Sequence, residues 1–136
     1  MLDEDNIPEV SEVETLARYL VRSNDFRADN TIKAAPFMPH PHVDLSVNRH
    51  LECTEDEIWA FGRQVSDKLS KRLYGRTDVA AKHCFDLNLT VNAAPIPGNP
   101  NHADVKGYPD SKPDQKSIAQ KLAAVASRRI TPPEFN

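Results

Sequence analysis

Apolar positions along this chain fall into short runs of recognisable period, separated by polar and proline-rich stretches. Val13, Leu16, Ala17 and Leu20 recur at helical spacing behind Ser11, and Glu14 stands three residues after that serine. Serine and glutamate so placed satisfy each other's orphan backbone N–H groups at a helix start, so a helix is expected from Ser11 into the polar stretch 24–30. Val43, Leu45 and Val47 alternate with His42, Asp44, Ser46 and Asn48, which predicts a half-buried strand with one polar face. Thr54 and Glu57 form a second capping pair, ahead of a stripe of Ile58, Phe61, Val65 and Leu69. That helix is predicted to run to about Arg72 and to end near Gly75. Phe85, Leu87, Leu89 and Val91 alternate with polar neighbours and predict a strand over 85–92, whereas 78–83 carries no clear pattern. His102–Val105 reads as a short strand. A last helix is expected from about Pro113 to Arg129, capped by Ser111 or Asp110, with Ile118, Leu122 and Val125 as its stripe.

These elements predict an α+β fold in a single compact domain over residues 11–130. The expected sheet is small and mostly antiparallel, with one wet face and about three helices on the other. Residues 1–10, which hold Asp3, Glu4, Asp5 and Glu9 and no basic residue, are expected to be a loose lead-in, and 131–136 a tail. With 11 prolines against 4 glycines, the seams between elements are marked by prolines, which helix interiors and central strands exclude.

Composition narrows the function classes. At 136 residues the chain is the size of one domain, and its formal charge of −3 supplies no basic field of the kind dedicated duplex-DNA binders use. Arg63, Lys68, Lys71, Arg72, Arg76 and Lys82 fall close together, but the aromatic interleaving of single-strand binders is missing, so nucleic acid is not the favoured partner. There is no apolar run long enough for a membrane helix, and the acidic start does not suit a secretory signal. Two cysteines, Cys53 and Cys84, make no disulfide framework and point to a reducing cytoplasm. Phosphate loops and serine-hydrolase elbows are also lacking.

Two constellations could carry chemistry. In extended backbone His40, His42 and Asp44 point the same way, and two imidazoles with a carboxylate suit zinc or manganese. This His-x-His-x-Asp run resembles the opening of the metallo-β-lactamase hydrolase motif, but Leu45 stands where that motif has a further histidine, and the chain is short for that fold. No metal is therefore assigned. The second is a near-repeat, His42-Val43-Asp44-Leu45 and His102-Ala103-Asp104-Val105. It resembles the two-histidine phosphoesterases, in which one imidazole takes a proton and the other gives one. Asp44 and Asp104 occupy the places of that family's hydroxyl residues, and a carboxylate there would repel phosphate.

Leu45-Ser46-Val47-Asn48-Arg49, Glu57-Ile58-Trp59 with Gly62, and His102-Ala103-Asp104-Val105 with Gly107-Tyr108-Pro109 resemble a group of small bacterial proteins. The resemblance implies a bacterial origin and one compact domain, and transfers no activity or cofactor. The favoured reading is an accessory or binding module that acts through a protein partner, with Trp59 as an anchor if exposed. The alternative is a small phosphodiester- or nucleotide-directed enzyme, with or without a metal. It would use His42, Arg49 and His102, with Asp44 or Asp104 orienting an imidazole or holding a metal.

Overall fold

The structure is a computed structural model and describes residues 1–39 and 44–133. Five strands form one antiparallel sheet: β1 (Thr15–Leu20), β2 (Leu45–Arg49), β3 (Gly75–Ala80), β4 (Thr90–Ala93) and β5 (His102–Lys106). Their order is β3-β1-β2-β5-β4. Helices α1 (Glu55–Leu69), α2 (Ala81–Asp86) and α3 (Lys112–Val125) accompany it, with a 3-10 turn at Ala35–Phe37. The α+β class and the single domain on an antiparallel sheet are as expected. None of the described helices is long and apolar enough to cross a membrane.

The helices do not share one face. Leu16, Leu20, Leu45, Val47, Val79, Val91 and Val105 pack on one side against Phe37, Cys84, Ala119 and Leu122 of the 3-10 turn, α2 and α3. Ala17 and Tyr19 pack on the other side against Ile58 and Phe61 of α1. Burying Ile58 and Phe61 contributes about 1.5–3 kcal/mol each. The Tyr19 hydroxyl donates to the Ile58 carbonyl, and Gly62 leaves room for the tyrosine ring. Because α1 covers only the β1–β3 half of its face, Ser46, Thr90, Asn92 and Lys106 remain exposed on the β2–β5–β4 half. The expected wet face is confined to that half.

The same two-sided burial corrects the helix expected from Ser11. A central strand covered on both faces loses its alternation, and Leu16, Ala17 and Leu20 then fall at spacings that mimic a helix. The Ser11–Glu14 pair survives as a turn: Ser11 N donates to Glu14 Oε2 at 2.7 Å, and Val13 is 83% exposed. The strand expected over 85–92 shrinks to β4. Phe85 belongs to α2, Leu87 caps it, and Asn88 turns the chain at φ 62°. β3 was hidden because Arg76 and Thr77 are buried, and Asp78 half-buried, by specific polar partners rather than by apolar pattern.

The capping box at Thr54 and Glu57 is present, and α1 ends at Ser70 in the left-handed region, short of Gly75. Ser111 caps α3 by accepting from Asp114 N at 3.2 Å. The acidic lead-in is tied down. Leu2 is buried and its N–H donates to Asn101 Oδ1 at 2.9 Å, while the Pro8 and Glu9 carbonyls accept from Arg49.

Candidate functional site

His40 and His42 lie outside the described residues, so neither histidine constellation is described beyond its Asp44, His102 and Asp104. Those three share the open half of the α1-side face. Register sets His102 opposite Asn48 and Asp104 opposite Ser46 and Asn92. Asp44, one residue ahead of β2, lies 3.9 Å from Lys106 Nζ. His102 therefore stands at the far end of the β2–β5 pair from Asp44, and its Nδ1 is 2.9 Å from the Ala94 carbonyl. Among the described residues, no group of His, Cys, Asp and Glu side chains is arranged to hold a metal ion.

Arg49 has no exposed surface. Its Nε and Nη2 donate to the two oxygens of Glu14 at 2.7 and 2.9 Å, and further bonds run from Nη1 to the Pro8 carbonyl and from Nη2 to that of Glu9. A guanidinium has five donors, and with these bonds made Arg49 has no surface from which to reach a solute. It fastens the lead-in to the sheet. Trp59 is 4% exposed and cannot serve as a surface anchor; the Arg76 guanidinium lies 4.8 Å from its ring centroid.

Sequence reasoning missed the cluster around that arginine. Arg76 grips Glu55 with two bonds of 2.8 and 3.0 Å and donates to Asp78 at 3.1 Å, while His50 Nε2 lies 3.0 Å from Asp78 Oδ1. The Arg76 hydrogen bond holds Glu55 below the usual carboxylate range. Burial alone would raise Asp78, but His50 and Arg76 outweigh it and hold this carboxylate low as well. The cluster joins α1, β3 and the end of β2. Nothing local in the sequence announces it, because strand pairing and the docking of α1 bring His50, Glu55 and the β3 residues together. Burial pushes the Cys84 thiol up to about 11 and raises Cys53 as well, so neither is poised as a thiolate nucleophile. Buried asparagines were also missed: Asn48 and Asn99 bond reciprocally at 2.9 and 3.2 Å, and Asn101 Nδ2 bonds the Arg49 and Leu51 carbonyls. They seat the proline-rich loop before β5.

The two sheet edges finish differently. In an antiparallel ladder, alternate residues turn both backbone groups towards the neighbouring strand and the others turn theirs away. On β3 the outward residues are Arg76, Asp78 and Ala80, the last of which leads into α2. Arg76 exchanges bonds of 3.0 and 2.8 Å with Ile130, and Asp78 is met by Ser127 through both its N–H and its carbonyl. On β4, Ala94 N donates inward to the His102 carbonyl, so the outward residues are Val91 and Ala93. No group among the described residues bonds their outward N–H and C=O. Beside this edge lies a groove of about 460 Å³, lined chiefly by Ile7, Pro8, Val10, Phe85, Val91 and Ala93, with Glu9 on its wall. The sequence offered one signal for it, since Thr90-Val91-Asn92-Ala93 contains neither a charge nor a proline.

No family model, curated protein or solved structure matches the chain.

Proposed function

We propose that this protein is a non-catalytic binding module that takes up an extended segment of a partner protein along the outer edge of β4. The observation that carries the reading is the contrast between the two edges: β3 is met at Arg76 and Asp78 by residues 127–130, whereas nothing among the described residues bonds the outward backbone groups of Val91 and Ala93, beside an apolar groove. Natural sheets blunt free edges with charge, proline, bulges or cover, because a bare edge templates another strand. β4 has no charge or proline. A strand added there gains main-chain hydrogen bonds for affinity and a side-chain groove for selectivity. The free cysteines favour a reducing compartment, so the partner is sought in the cytoplasm. An enzyme built on His42, Arg49 and His102 draws no support from Arg49, whose donors are spent inside the fold.

The test is a photo-crosslinker placed at Asn92 in living cells, with and without Ala93→Pro. The Ala93 N–H points away from β5, so proline removes an outward donor without breaking the ladder. The expected result is crosslinking to one protein from position 92, abolished by Ala93→Pro at unchanged melting temperature. A crosslinking pattern indifferent to Ala93→Pro in a folded protein overturns the reading.

A further inference from the structure

We infer that the segment taken up by β4 is an alternating strand, apolar at the two positions that face the groove and basic at the position between them. This rests on the β4-edge reading and adds the partner's chemistry. The sheet is antiparallel throughout, so the added strand is taken as antiparallel too, with its hydrogen bonds made to Val91 and Ala93. Residues opposite each other in such a pair share a face of the sheet. The partner residues opposite Val91 and Ala93 therefore turn to the side where Ile7, Pro8, Val10 and Phe85 wall the groove. Aliphatic, β-branched side chains suit both that lining and an extended backbone.

The residue between them lies beside Asn92 on the open face. Next across the sheet from Asn92 is Asp104, which makes no ion pair among the described residues, unlike Asp44 with its Lys106. Two strand spacings, roughly 10 Å, separate the added strand from β5. A lysine or arginine and the Asp104 carboxylate span that distance between them, the stem lying over Asn92. On the groove side the rim is also acidic: Glu9 is exposed and makes no ion pair among the described residues, which disfavours an acid at the two groove-facing positions. An acidic residue at the middle position would meet the like charge of Asp104.

The test titrates the isotope-labelled full chain with three short capped peptides and follows backbone amide resonances at low salt. One alternates valine with lysine, the second valine with glutamate, the third serine with lysine. The expected result is that the valine–lysine peptide shifts the Val91 and Ala93 amides and slows their hydrogen exchange. It should bind about tenfold more tightly than either of the others, the range that reversing a charge beside Asp104 or burying two side chains supplies. Asp104→Asn, a half-exposed substitution, should weaken that peptide several-fold and leave the serine–valine order of preference intact. Equal or tighter binding of the valine–glutamate peptide with the same amides shifting overturns the inferred chemistry and leaves the edge reading standing. Shifts from every peptide that avoid Val91 and Ala93, or no shifts at all, overturn both.

Discussion

Replacing Arg49 with methionine tests whether this arginine is part of the frame or part of a site. The substitution removes a guanidinium with no exposed surface and leaves the Glu14 carboxylate, itself 5% exposed, without its ionic partner. It also strips the Pro8 and Glu9 carbonyls of their donors. Breaking a buried pair by removing one member costs about 3–5 kcal/mol, because the remaining charge stays desolvated. For 136 residues the unfolding entropy is about 0.3 kcal/mol per degree, so the melting temperature should fall by about 10–17 °C. Urea titration read by far-ultraviolet circular dichroism and Trp59 fluorescence gives the free energy directly. Combining Arg49→Met with Glu14→Leu should recover part of the loss, since no buried charge is then left unpaired. A loss under about 1 kcal/mol for Arg49→Met alone would refute the structural assignment.

Two further substitutions probe the α1 side of the sheet. Arg76 and His50 depress Asp78, and Arg76 depresses Glu55. A depressed carboxylate contributes stability that is fully present above its unfolded value of about 4 and is lost as pH falls through the lower folded value. Arg76→Met should therefore be least stable relative to the native chain at neutral pH, with the gap in urea midpoints narrowing below about pH 4; a gap independent of pH would contradict this assignment. At Gly62 an added Cβ would come within 2.7 Å of the Tyr19 ring, which is held by its bond to Ile58. Gly62→Ala should destabilise by about 1–3 kcal/mol from overpacking, outweighing about 1 kcal/mol of helix propensity, and a gain in melting temperature would count against that packing.

What the sequence determined by itself is what local chemistry determines. Thr54 and Glu57 start α1 within four residues of chain, and Ser111 starts α3 by capping Asp114 N. β2 and β5 were legible because each has one face in the core and one in water, so Leu45, Val47, Ala103 and Val105 keep a period of two. That period also placed Asp104 and His102 together on the wet side. Tertiary structure decided the rest. β1 is covered on both faces, which erases the alternation that would have named it a strand. β3 is held by Ile130, Ser127 and Glu55 rather than by apolar pattern. Arg49 became structural through Glu14, 35 residues away, and the β4 edge became a candidate site through Ile7–Val10, which arrive from the other end of the chain. Such contacts join residues far apart in sequence, and a pairing that depends on the path of the whole chain leaves no periodic trace in the local order of side chains.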